Sequence, residues 1–115
     1  MMNDNLFQKI IDRQIPAKIV YEDDQCLAFR DVNPQAPTHV LLVPKRHIES
    51  LNELAPGDDQ IVGELARRAA AIAKERGIAA GGYRVVFNTN RDAGQTVFHI
   101  HLHLLGGRSM KWPPG

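Results

Sequence analysis

Cysteine is almost missing from this chain. Cys26 stands alone among 115 residues, which excludes an intramolecular disulfide, and nothing beside it offers a Cys-x-x-Cys metal-ligand spacing. A reducing compartment is expected. An excess of one charge is missing too: 14 Lys and Arg against 13 Asp and Glu leave a formal net charge of +1. That balance does not suit a surface that must neutralise many phosphates of a nucleic-acid polymer. Long hydrophobic runs are absent as well. A run such as residues 69–73 is about a quarter of the roughly 20 residues that a membrane span needs. The first seven residues, which include Asn3, Asp4 and Asn5, lack the apolar stretch of a secretory signal. Neither a Ser/Gly-rich linker nor an internal repeat appears. What remains is an ordinary balance of 43% hydrophobic and 23% charged residues, which argues for a folded chain. At this length one core is expected. Residues 1–115 therefore read as a single soluble domain of the cytoplasm.

Residues 4–13 space Leu6, Phe7, Ile10 and Ile11 as one face of a short helix, closed by Pro16. Residues 18–21 and 26–29 are β-prone and flank the polar Glu22-Asp23-Asp24-Gln25, which reads as a hairpin. Beyond the loop Asn33-Pro34-Gln35-Ala36-Pro37, residues 39–43 form a third strand ended by Pro44. The long helix is expected over residues 56–76, with Pro56 at its first position and Asp58 and Asp59 complementing its dipole. Its inward face would carry Ile61, Val62, Leu65, Ala66, Ala69, Ile72 and Ala73, and Gly77 would stop it. Residues 83–88 and 97–105 complete five strand candidates. Several strands follow one another directly, so the fold class is α+β: a five-stranded antiparallel sheet with one long and one short helix.

The most informative segment is Val97-Phe98-His99-Ile100-His101-Leu102-His103-Leu104-Leu105. On a strand, side chains alternate between faces, so His99, His101 and His103 would share one side, about 7 Å apart. Phe98, Ile100, Leu102 and Leu104 would anchor the other side in the core. Three readings compete. Histidine can simply be tolerated on a solvent face. The imidazoles can hold zinc, with His39 or His47 adding a ligand, but a row of about 13 Å lets at most two of the three share one ion. Or the row can do nucleophilic chemistry at phosphorus, one neutral imidazole attacking while its neighbours donate protons. Asp92-Ala93-Gly94-Gln95-Thr96, just ahead of His99, offers a glycine, an amide and a hydroxyl where backbone N–H groups could form an anion-binding nest.

Taken together, these segments resemble the histidine-triad superfamily, in its Hint branch of purine nucleoside phosphoramidases. The pattern His-φ-His-φ-His-φ-φ, with φ apolar, is met in full from His99 to Leu105. The similarity runs through Ile15-Pro16-Ala17-Lys18, Tyr21-Glu22-Asp23-Asp24, Leu27-Ala28-Phe29-Arg30-Asp31, Pro34-Gln35-Ala36-Pro37-Thr38-His39, Val43-Pro44-Lys45-Arg46-His47-Ile48, Gly94-Gln95-Thr96-Val97-Phe98, Gly106-Gly107-Arg108 and Trp112-Pro113-Pro114-Gly115.

The resemblance implies a homodimer whose sheets join into one, and hydrolysis of purine nucleoside 5′-phosphoramidates through a covalent nucleotidyl-histidine, without a metal or other cofactor. It implies His101 as nucleophile, His103 on the phosphate, and His99 and His39 as supports. Asp31 would take the ribose hydroxyls with Val32 beside it, while Asn88, Gly94, Gln95 and Thr96 line the phosphate end. Phe7, Ile10, Phe29 and Leu41 would wall the base pocket, and Trp112 would approach the partner's site. Serine is the commoner family residue where this chain has Thr96, which keeps the hydroxyl and adds a methyl. An acidic Asp31 independently suits a ribose diol and would repel phosphate. The other reading is a nucleotide-binding regulator or scaffold with incidental hydrolysis.

Overall fold

The computed structural model describes residues 5–115; Asp4, expected in the first helix, lies outside them. Helix α1 spans Leu6–Ile11, and Asn5 caps it by accepting the Gln8 N–H on its side chain. Strands β1 (Ile19–Glu22), β2 (Cys26–Arg30) and β3 (Thr38–Pro44) follow. Helix α2 (Asp59–Glu75) comes next, then β4 (Tyr83–Val86) and β5 (Leu102–Gly106). The strands form one antiparallel sheet in the order β1-β2-β3-β5-β4. This is the expected α+β architecture, with one long helix and one short one. Among the described residues, no helix is long and apolar enough to cross a membrane.

Both faces of the sheet are covered, which explains why β2 and β3 read as nearly unbroken apolar runs. Cys26, Ala28, Val40, Leu42, Leu102 and Leu104 point towards α2 and pack with its Leu65, Ala69, Ile72 and Ala73. Their neighbours Leu27, Phe29, Leu41 and Val43 point the other way and meet Phe7 and Ile10 of α1. Alternation then puts His39 and His103 on the α1 side, because they share parity with Leu41 and with the residue opposite it.

Several expected boundaries move. Helix α2 begins at Asp59, not Pro56. Gly57, at φ 95°, breaks the turn in between, and the Asp58 carboxylate is occupied by the Ala55 N–H and by Arg46. Ala66 is exposed rather than inward, and Ile61 and Val62 are half-buried. β4 stops at Val86, short of Asn88.

The largest correction concerns residues 97–101, which are not strand. The β3–β5 ladder ends at the pair Leu42 and Leu102. Extending it would bring in Pro44, which has no N–H to give, and whose carbonyl is already taken by the His99 ring at 2.7 Å. The segment is instead laced to the loop after β3. The Ile100 N–H reaches the Ile48 carbonyl at 2.6 Å, and His47 Nε2 reaches the Phe98 carbonyl at 2.8 Å. Phe98 consequently stands 44% exposed rather than in the core, while Ile100, Leu102 and Leu104 are buried as expected.

Because Leu65 joins α2 to the sheet, Leu65→Ala is expected to destabilise the protein by about 2–5 kcal/mol in urea unfolding. Ala66→Ser, one position along on the exposed side, should change it by no more than about 0.5 kcal/mol.

Candidate active site

The imidazoles gather on the α1 side of the sheet as a cluster rather than a row. His101 and His103 have ring centroids 5.0 Å apart, and His39 and His103 are 5.2 Å apart. His99 lies outside the strand, fully buried. Hydrogen-bond partners fix the role of each nitrogen, since a neutral imidazole has one donor and one acceptor.

His39 Nδ1 accepts the Gln35 N–H at 3.0 Å, so its proton sits on Nε2 and is donated to His103 Nδ1 at 2.9 Å. His103 therefore carries its own proton on Nε2. His99 Nε2 donates to the Pro44 carbonyl, and its Nδ1 accepts from Asn5 Nδ2 at 2.9 Å. His101 Nδ1 donates to the His99 carbonyl at 2.8 Å, which leaves Nε2 unprotonated. No buried side-chain nitrogen or oxygen among the described residues lacks a partner, so this unbonded Nε2 reaches solvent. Phe7 braces the same ring edge-on at 4.8 Å.

All four rings are held neutral chiefly by burial, which disfavours an added proton. His103 is pushed down to about 4, with His101 and His39 adding to the effect and Asp31 opposing it. His101 is lowered by burial against the opposing His99 carbonyl bond and Asp31. Burial also lowers His99, opposed by its bond to Pro44, and His39, opposed by Asp31.

Asp31 lies at the rim. Its Oδ1 accepts the Asn33 N–H at 2.8 Å, and its Oδ2 is 3.5 Å from His39 Nε2. Asp31, His39 and His103 bring polar atoms within 4.8 Å of one another, close enough to hold a cation. An ion there would have to break the hydrogen bond between His39 and His103.

Phe7, Ile10, Phe29 and Leu41 come together in one buried cluster beside His101. In contrast, Val32 is 99% and Trp112 83% exposed, so neither is enclosed within the protomer. Asn88 is half-buried beyond the end of β4, and Thr96 is exposed. The loop differs from a simple anion nest. Its Gly94 and Gln95 N–H groups bond back to Arg91 and Asn90. The Gln95 amide donates to the Glu49 and Val97 carbonyls and accepts from the Asn90 N–H. Gln95 thus shapes the loop with all its side-chain atoms. Gly94, at φ 85°, supplies the left-handed turn that this closure requires.

Two residues have roles that sequence reasoning did not assign: His47, weighed there only as a zinc ligand, and Asn5. His47 holds the Phe98 carbonyl and lies 5.1 Å from the His99 ring. Asn5 reaches His99 from a helix cap. A cap at Asn5 was detectable from its place ahead of Leu6 and Phe7; its second bond carried no local signal.

An antiparallel α+β sheet bearing a neutral cluster of hydrogen-bonded histidines defines the class of protein, and comparison supplies the family. The HIT domain matches residues 12–110, and the chain belongs to the HIT family. It is 54% identical, over the full length of both chains, to an uncharacterized HIT-like protein of Synechocystis. It is 50% identical to the purine nucleoside phosphoramidase of Escherichia coli K12 over 110 residues, 96% of this chain and 92% of that one. The crystal structure of a HIT family hydrolase from Legionella pneumophila superposes with a TM-score of 0.95 at 51% identity, covering 97% of this chain and 100% of that chain.

The depressed histidines set a pH dependence of stability. Unfolded, each ring takes up a proton near 6.5, whereas folded His103 waits until about 4. Between those values the unfolded state binds more protons, so stability must fall as pH is lowered through that window. Urea unfolding is expected to give a plateau above about pH 7 and a decline below it. His103→Gln should make that decline shallower.

Proposed function

We propose that the chain is a cytoplasmic hydrolase of purine nucleoside 5′-phosphoramidates, of the AMP-amine or AMP-lysine type. The observation that carries this reading is the fixed tautomer of His101, whose Nδ1–H is tied to the His99 carbonyl while Nε2 opens to solvent. The name of the Escherichia coli relative supports the substrate class.

In the proposed first step, His101 Nε2 attacks the α-phosphorus and the P–N bond breaks, its electron pair leaving with the amine. The amine takes a proton from solvent by way of the Thr96 hydroxyl, while the His103 Nε2–H keeps its proton and hydrogen-bonds a phosphoryl oxygen. In the second step water attacks the nucleotidyl-histidine, the phosphorus–Nε2 bond breaks to leave His101 neutral, and the proton released by water passes to solvent. The products are the amine and the nucleoside monophosphate. The His99 carbonyl stabilises the charge that His101 acquires in between.

Asp31 would bind the ribose, with Val32 beside it. Asn88, Gly94, Gln95 and Thr96 would shape the phosphate end, and Phe7, Ile10, Phe29 and Leu41 the base pocket.

Two copies are proposed to join through β4. It is one of the two edges of the sheet, β1 being the other, and its Tyr83 and Val85 are 38% and 43% exposed, leaving a strand edge open to pairing. Trp112 would then approach the partner's site. Light scattering should give twice the chain's mass for the wild type, and Val85→Lys should shift it towards the single-chain mass.

His101→Ala is expected to abolish turnover of an adenosine phosphoramidate, a drop of more than about a thousandfold, while AMP binding stays measurable by calorimetry. Mass spectrometry after rapid mixing should find the nucleotide on His101 in the wild type. Tight AMP binding without an adduct would instead favour a regulator. Turnover should survive dialysis against a strong chelator.

A further inference from the structure

We propose that Asn5 is a positioning residue for the nucleophile: it seats the His99 ring from the cap of α1, and through the His99 carbonyl it sets the aim of His101. The claim about His101 as nucleophile rests on the function proposed above, whereas the seating of His99 does not.

The donors and acceptors around His99 leave one another no choice. The Asn5 Oδ1 accepts the Gln8 N–H at 3.1 Å, the bond that caps α1. Its Nδ2 is therefore the end that faces His99 Nδ1 at 2.9 Å. His99 Nδ1 must be an acceptor, because its Nε2–H is committed to the Pro44 carbonyl at 2.7 Å. The ring is thus pinned at both nitrogens, between the start of α1 and the end of β3, in a fully buried site where an unmade hydrogen bond is expensive.

The backbone of His99 follows its ring, and the His99 carbonyl is what holds His101 Nδ1–H. Asn5 is itself only 5% exposed, so water cannot easily replace its amide. A helix of six residues has little stability alone. Phe7 and Ile10 dock it in the core beside Leu27, Phe29, Leu41 and Val43, and it touches the histidine cluster twice, through Asn5 on His99 and Phe7 on His101. A cap elsewhere in the protein would do nothing of the kind: Ser50 caps a short turn at Leu51–Glu53 with no imidazole attached.

Two variants separate this role from simple capping. Asn5→Ala removes both the cap and the donor. Asn5→Asp keeps the cap, for which aspartate is as good as asparagine, but puts a carboxylate where the amide donor was. The readout is the ¹⁵N spectrum of the histidine rings at neutral pH, together with steady-state kinetics on an adenosine phosphoramidate.

In the wild type, His99 should appear as the neutral Nε2–H form and His101 as the neutral Nδ1–H form. In Asn5→Asp, His99 should gain a second proton, at Nδ1, to pair with the carboxylate. In Asn5→Ala, His101 should become a mixture of tautomers, and kcat should fall about 10- to 100-fold with little change in KM.

A neutral His99 in Asn5→Asp would overturn the proposal, as would wild-type His101 signals and kcat in folded Asn5→Ala. Should Asn5→Ala fail to fold, the capped Asn5→Asp variant still decides the matter. Absence of phosphoramidate turnover in the wild type would sink the proposed activity, while the ring spectra would still report on Asn5.

Discussion

One hydrogen bond, from the Nδ1–H of His101 to the carbonyl of His99, decides which nitrogen of the central imidazole is free. Its net worth is about 1 kcal/mol by the usual measure, roughly a fivefold bias between tautomers. Burial enlarges that bias, because the alternative tautomer would turn a lone pair towards the carbonyl and leave both groups unsatisfied, a penalty of about 1–3 kcal/mol. The carbonyl must therefore be stationary, and most of the surrounding structure keeps it so. The His99 ring is locked at both nitrogens, the flanking peptides are tied to Ile48 and His47, and the Gln95 amide closes the loop just before.

The same constraint explains why the sheet stops where it does. A regular β3–β5 ladder running back through His101 and Ile100 would engage backbone groups along Pro44, which has nothing to donate. Giving the Pro44 carbonyl to an imidazole converts the failed end of the ladder into the anchor of the site. The pleat contributes the rest. Leu102 and Leu104 of β5 face α2 and complete one core, while His103 faces the opposite side, across from Leu41. One strand thus packs against α2 on one face and carries an imidazole of the cluster on the other.

Local patterns made much of this legible. The third strand ending at Pro44, the hairpin around Asp23, the inward face of α2 from Leu65 to Ala73 and the stop at Gly77 all follow from period and turn chemistry, and the structure has them. The expected row of histidines did not survive, because period-two reasoning presumes that a strand continues, and a side chain competing for a backbone carbonyl is invisible to it. Pro56 misled for a similar reason: Asp58 spends its carboxylate on Ala55 and Arg46 instead of on the helix. The links from Asn5 and His47 span 94 and 51 positions, so no window along the chain could have revealed them.

Neutrality gives the cluster its chemical direction. Protonating any one of these four imidazoles would bury a charge, which is why burial lowers every one of them. Roles are then assigned by tautomer rather than by charge. A neutral imidazole that accepts on one nitrogen must donate on the other, so a chain of such rings carries a polarity from end to end. Starting from the Gln35 N–H, that polarity passes through His39 and emerges as a donor on His103 Nε2. Starting from the His99 carbonyl, which demands a donor, it emerges as a lone pair on His101 Nε2. Rings 5.0 Å apart therefore carry opposite roles on Nε2, an acceptor on His101 and a donor on His103. One can attack an electrophile while the other donates to the oxygens or the leaving group attached to it, and neither has to change protonation before the reaction begins.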